Sequence, residues 1–446
     1  MESVNTQAGA RARRRAGRHA VTALGASAVL AFGLFAPAAA QAATAGTLYV
    51  SQGGLDSGSC PVASPCATVS YALTKAASGA TIKVSGTIND HLSITSPVTI
   101  TTWPGGPAGS PGVLNGTATG TVVTVDPGVT SVTVQDMTIE NGALGILDEE
   151  GTLTLTDSTV TGNATVAEPY AGIWNYADST MTIIDSTVTK NSGAPGGSGV
   201  GAGIDNNGVL TVVASTISGN SGGGIYSGQL DTATLGATIV AGNTGTNCDG
   251  YDPASLASAG YNLTDDKTGT ACGFTAATDL VNQKPALGAL AGNGGPTQTM
   301  LPAAKSPAAN VVPKAVTLRG VKVCPATDQR GVARPGHGET RCTIGAAEVS
   351  FSKPTTTSVT VNPATVASGT RVVYLAVVSP KSGTGTPTGT ITFSTGSTTL
   401  CTAVLSGGVA ACGATNAPAG TDTVTGKYSG GQGYVSSSGT AKLTVT

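Results

Sequence analysis

Apolar and polar residues alternate with period two in short bursts through the middle of the chain, and the bursts recur. Gly151 to Asn163 reads GTLTLTDSTVTGN, Ser179 to Asn191 reads STMTIIDSTVTKN, and Gly208 to Asn220 reads GVLTVVASTISGN. Aligned without gaps to a further copy beginning at Asp231, these put Leu155, Ile183, Val212 and Leu235 in one column. Val160, Val188, Ile217 and Val240 form a second column, and the copies end on Asn163, Asn191, Asn220 and Asn243. An earlier copy, Thr130 to Asn141, keeps Val134, Asp136 and Ile139 but reaches its Asn one place early. The steps of about 21 to 29 residues lie in the range of solenoid repeats.

Leu153-Thr154-Leu155 reads as a strand with one buried face. Leu155 to Val160 is an odd step of five residues, so a bend must separate the two if both point inward. Another short strand follows each Asn, marked by Gly145-Ile146, Gly172-Ile173, Gly203-Ile204 and Gly224-Ile225. Three short strands per coil, joined by bends, predict an all-β fold, a parallel β-helix, right-handed by the general chirality of parallel crossovers. Coils from about Thr81 to Asn243 would stack at about 4.8 Å into a rod roughly 30 to 40 Å long. Solenoid ends need caps. A helix opening at Ser64-Pro65 and ending at Gly79, with Val69, Ala72, Leu73 and Ala76 on one face, is expected to plug the first coil; the competing reading is an unrelated surface helix.

From about Phe351 the pattern changes to seven strand-like runs separated by Gly, Ser and Pro clusters, which predicts an Ig-like β-sandwich over 351–446. The β-helix with its caps is assigned 43–350. Residues 1–42 read as an export signal: Arg11, Arg13, Arg14, Arg15 and Arg18 precede an apolar run from Ala20 to Ala36 and a small-residue site ending at Ala42. The competing reading of that run is an uncleaved membrane anchor. After cleavage no second apolar segment of membrane-spanning length remains.

Removing the signal takes five Arg and one Glu from 22 basic and 24 acidic residues, leaving 17 and 23, a net charge of −6. So few cations argue against nucleic acid as a partner. The eight cysteines fall in sequential neighbours, Cys60 with Cys66, Cys248 with Cys272, Cys324 with Cys342, and Cys401 with Cys412. In an exported chain an even count argues for disulfides, and sequential pairing is the simplest of the 105 connectivities. A metal site is the alternative, but no Cys-x2-Cys pair occurs.

The opening LYVSQGG and SPCATVSYAL, the repeated STVTGN and GGGIY, and the closing GNGGPTQTMLP, TDQRGVARP and CTIGAAE resemble the bacterial right-handed β-helix proteins of the choice-of-anchor Q group. TPTGTITFSTGSTTL and GKYSGGQGY are similar to bacterial Ig-like repeat domains. The first resemblance implies a secreted or surface-attached protein, and many such members have no established activity. The sorting signal often found downstream in such proteins is not seen in a chain closing on KLTVT.

If the Gly-Ile isoleucines point inward, alternation sends two columns outward: Leu147, Trp174, Asp205, Tyr226, and Glu149, Tyr176, Asn207, Gly228. This aromatic and acidic stripe, walled by insertions near Glu168 to Tyr170 and Ser192 to Ala202, is the best candidate site in a chain with 4% aromatic residues. Aromatic faces beside hydrogen-bonding groups suit sugar rings, so Trp174, Tyr176, Tyr226, Tyr170 and Asn207 are candidate ligands for an extracellular or cell-surface glycan. Glu149 and Asp205, two coils apart at roughly 9 to 10 Å, approach the carboxylate separation of inverting glycosidases. A lyase is disfavoured because only Lys83 and Lys190 lie between Thr81 and Asp249. Asp136, Asp157 and Asp185 share one ladder. The bland reading is bend chemistry; the sharper one is a calcium ladder, the one cofactor considered. His337 in Gly336-His337-Gly338 reads as loop, and Asp328 with Arg330 as an ion pair fastening the closing segment. Three functions follow: a glycan-binding envelope protein, a polysaccharide hydrolase, or a purely structural surface rod.

Overall fold

A computed structural model describes residues 46–446 except 169, 195–200, 230, 253–254, 319, 337–338, 350–352, 382–384 and 432. The expected export signal and His337 lie outside the described residues. The fold is a right-handed parallel β-helix followed by an Ig-like sandwich. Three parallel sheets form the β-helix among the described residues, with nine strands in sheet I, seven in sheet II and seven in sheet III. Within one coil the chain runs through sheet I (Thr152–Thr156), sheet II (Thr159–Thr161) and sheet III (Ile173–Asn175) before returning to sheet I at Thr180–Ile184. The stack extends beyond the repeat in both directions, from Thr47–Ser51 to Leu256–Gly260 in sheet I. Nine strands at about 4.8 Å give a rod about 38 Å long.

The expected columns are ladders in register. Leu155 pairs with Ile183, Val212 and Leu235 in succession, and Val160 with Val188, Ile217 and Val240. All eight are fully buried. Between them each coil turns on one residue of positive φ: Asp136 (55°), Asp157 (50°), Asp185 (44°), Ala214 (48°) and Ala237 (50°). Asp tolerates this left-handed backbone better than most side chains, and the bend reading of its column holds. The Ser that follows completes the bend. Ser186 Oγ donates to Ile184 O at 2.8 Å and accepts the Ser158 N–H at 3.2 Å, linking two coils.

The Asn column is a buried amide ladder. Asn163 Nδ2 donates to Asn191 Oδ1, Asn191 to Asn220, and Asn220 to Asn243, each at 3.0 Å. It ends through Asn247 on Asp265 and Asp266, whose carboxylates accept at 2.7 and 2.9 Å. The early Asn141 does not join it. Its φ of 56° places it in the left-handed column of Gly162, Lys190, Gly219 and Gly242, and the Gly142 N–H meets Asn163 Oδ1 instead.

The capping helix is shorter than expected, Val69–Leu73, with Thr68 rather than Ser64 as its N-cap. Cys66 pairs with Val50 and bonds to Cys60, and Asp56 takes the N–H groups of Ala67 and Thr68. That holds the chain extended up to the cap. Val69 and Ala72 are buried in the same core as the coils, with Leu73 and Ala76 packed against it.

The closing segment lies along the outer side of sheet II. Gln329 bridges two coils, donating to Thr159 Oγ1 at 2.8 Å and accepting from Thr187 Oγ1 at 2.6 Å. Ala346 N–H reaches Thr216 Oγ1, and Gly345 N–H reaches Ala237 O. Where the acidic column gives way to Ala214 and Ala237, those alanines are buried with Val312 and Ile344 of the closing segment. Asp328 and Arg330 form the expected ion pair at 2.6 Å. Within the acidic column Asp185 is paired with the buried Arg334 at 3.0 Å, so its carboxylate already has a cation. Asp157 is left beside Asp136, and burial together with that neighbouring charge pushes it up to about 6. Asp136 lines a separate depression of about 430 Å³ with Trp103 and Pro296.

Each cysteine bonds its sequential neighbour. No described helix is long and apolar enough to cross a membrane. The Ig-like sandwich packs a three-stranded sheet (Thr355–Asn362, Val372–Pro380, Val409–Ala414) on a five-stranded one around Tyr374, Phe393 and Tyr428. Cys401 and Cys412 join Thr398–Val404 to Val409–Ala414, edge strands of opposite sheets.

Candidate functional site

Sheet III positions the stripe. Its inward ladder is Val123, Ile146, Ile173, Ile204, Ile225 and Cys248. The outward ladder one residue on is Thr124, Leu147, Trp174, Asp205, Tyr226 and Asp249. Glu149, Tyr176 and Asn207 continue the strands into the next turn, where Tyr176 N–H bonds Asp148 O and Asn207 N–H bonds Asn175 O. Trp174 is the hub. Tyr170, delivered by the turn before the strand, stacks on it with centroids 4.1 Å apart, and Tyr176 meets it edge-on at 5.0 Å. The indole Nε1 has no partner. Past Tyr226 the stripe runs into a depression of about 840 Å³ lined by Asp249, Tyr251, Asp252 and Thr275, among others.

One side chain departs from expectation. Asp205 belongs to the outward ladder yet is only 5% exposed. Asn207 Nδ2 donates to its Oδ1, and Gly201, whose own N–H bonds this carboxyl, lies against Ile204 O and Tyr226 N, where a Cβ would not fit. Gly201 therefore closes over it. Burial pushes this carboxyl up to about 7, against the lowering effect of the Asn207 and Gly201 hydrogen bonds. Tyr170 is pushed up to about 12, by burial first and then by Glu168, with a smaller contribution from Asp205. Glu149 stands two coils away in the other column, and the Trp174 and Tyr176 coil lies between the two carboxylates. Among the described residues no group of three or more His, Cys, Asp or Glu gathers as a metal site would.

Under the stripe runs a polar spine that the sequence reading missed: Asp148, Asn175, Asn206 and Ser227, all fully buried and in register. Its signal was present, since each lies two residues after an inward Ile and so shares that face. Asn175 Nδ2 donates to Asn206 Oδ1 at 2.7 Å and Asn206 Nδ2 to Ser227 Oγ at 2.9 Å. Asp148 Oδ2 and Asn175 Oδ1 are buried acceptors with no partner. A proton on Asp148 turns one of these neighbours into a donor.

Burial pushes Asp148 up to about 7 from 3.8, the Gly151 N–H opposing it. Because the folded-state value is raised, its contribution to stability is complete below 3.8 and is lost as pH rises towards about 7. Asp148→Asn supplies the donor at every pH. The variant is expected to lose this part of the pH slope and to exceed the parent by about 1–3 kcal/mol on the alkaline side. Urea unfolding across that range checks it, and an unchanged slope would contradict the assignment.

These ladders and the stripe define a right-handed parallel β-helix with an aromatic, acidic outer face. Residues 115–244 match the family model described as right handed beta helix region, and residues 345–446 match the bacterial Ig-like domain (group 3). Among solved structures the chain is similar to the crystal structure of pectate lyase Pel9A, at 12% identity and a TM-score of 0.37, over 68% of this chain and 96% of that one. No curated protein matches the chain.

Proposed function

We propose that this is a secreted or cell-envelope protein of the choice-of-anchor Q kind that binds an extracellular or surface glycan on the outer face of sheet III. The observation that carries this reading is the Tyr170–Trp174–Tyr176 cluster, aromatic faces placed beside Asn207 and Glu149 on an outward ladder. Sugar rings pack their C–H faces on such rings and direct hydroxyls to flanking amides and carboxylates. The Ig-like domain acts as the spacer. The four disulfides suit an oxidising compartment. In a polysaccharide pull-down or glycan array, Trp174→Ala and Tyr176→Ala are each expected to weaken binding about tenfold, a loss of roughly 1.4 kcal/mol. Unchanged binding in both removes this face from consideration.

Asp205 supports a second reading. A buried carboxyl pushed up to about 7 holds a proton where a general acid needs one. Reducing ends released from a glycan by the parent but not by Asp205→Asn would establish a hydrolase. The aromatic coil between Asp205 and Glu149 favours binding over hydrolysis. Without either activity the chain is a surface rod.

A further inference from the structure

Charge on the stripe narrows the ligand class. Glu149, Glu168, Asp205, Asp231 and Asp249 lie on or beside the stripe, while residues 92–252 carry one basic side chain, Lys190. Lys190 follows the sheet II strand Thr187–Thr189, away from the stripe. Asp205 lies under the stripe with only an amide and a backbone N–H as donors, and Asp231 adds its negative charge nearby. Glu168 stands at the opposite edge, hydrogen-bonded to Tyr170. A desolvated carboxylate is costly until a cation reaches it. Aromatic faces beside it attract the same kind of partner, because an organic ammonium is drawn to the ring quadrupole.

Building on the glycan reading, we infer that the sheet III face is selective for polysaccharides of amino sugars with free amines. Ammonium groups along the sugar chain meet the half-exposed Glu149 and Asp231, while the sugar faces rest on Trp174 and Tyr176, and the buried Asp205 adds its charge from beneath. Polyuronates, whose carboxylates would face these acids, are repelled. The coil pitch of about 4.8 Å is close to the length of one pyranose, so an extended sugar chain lying along the stack meets about one coil per sugar.

Titration calorimetry of the full chain with β-1,4-linked glucosamine oligomers, their N-acetylated counterparts and oligogalacturonate tests this. The free-amine oligomer should bind at least about tenfold more tightly than the acetylated one, a gap of about 1.4 kcal/mol that narrows with added salt. Asp205→Asn and the variant Glu149→Gln at a half-exposed position should each reduce that preference, with tryptophan emission confirming that both fold. Equal affinity for the amine and acetylated oligomers would overturn the inference and leave the glycan reading standing. A preference for oligogalacturonate would likewise overturn it. Failure of all three to bind would count against both.

Discussion

Replacing Arg334 with alanine is expected to cost the β-helix about 3–5 kcal/mol, the loss that follows when one member of a buried ion pair is removed. The guanidinium is wholly buried. Its Nη2 reaches Asp185 Oδ1 at 3.0 Å and Gly345 O at 2.6 Å, and its Nη1 reaches Glu348 Oε2 at 3.3 Å and Thr343 O at 2.9 Å. Alanine would leave two buried carboxylates uncompensated and two carbonyls without donors. Burial already holds the Asp185 carboxyl well above the usual range, even with Arg334 beside it. The variant should therefore recover part of its loss in acid, where the Asp185 carboxyl takes a proton, and the double variant with Asp185→Ala should lose less than the two single losses summed. Trp103 and Trp174 both belong to the β-helix and are the only two tryptophans, so their emission during urea unfolding reports on that part. A loss under about 1 kcal/mol would mean that the closing segment is not held by this pair.

Asn191→Leu is the second large effect. Asn191 Oδ1 accepts from both the backbone N–H and the Nδ2 of Asn163, at 3.2 and 3.0 Å. Its own Nδ2 donates to Val160 O and to Asn220 Oδ1. Leucine has similar bulk and no polar atom, so it strands several buried groups at about 1–3 kcal/mol each, and a total near 3–5 kcal/mol is expected because such losses do not add fully. Asn115 provides the control. It too sits in an amide ladder, between Asn89 and Asn141 at 2.9 Å, but on the exposed surface where water replaces lost partners. Asn115→Leu should stay within about 0.5 kcal/mol. Equal losses at the two sites would show that burial of the ladder is not what gives it weight.

The repeat was legible because a parallel stack places like residues on like residues, so each ladder prints its period in the chain. Leu155, Val160 and Asn163 announce their columns for that reason, and the odd step to Val160 announced the bend at Asp157. The outward stripe was legible by the same parity. Asp148 could have been read likewise, being two residues beyond Ile146. What parity does not carry is cover. Asp205 is outward by register and buried by the chain at Gly201, which has no periodic pattern to reveal it. Arg334 finds Asp185 across 149 positions, and Thr159 finds Gln298 O across 139. Such contacts depend on an irregular segment's path, so nothing in the period of the acidic column announces the arginine beside Asp185.

Solenoids ordinarily gain or lose whole repeats with little penalty, because each repeat contacts only its neighbours. The closing segment here touches Thr159, Thr187, Thr216 and Ala237 in turn, one position per coil across four coils. It acts as a ruler. A coil duplicated or deleted between Thr159 and Ala237 would put Gln329, Arg334 and Ala346 out of step with their sockets. In relatives built this way, rod length is therefore expected to vary outside the stretch from Asp157 to Ala237 that the closing segment measures.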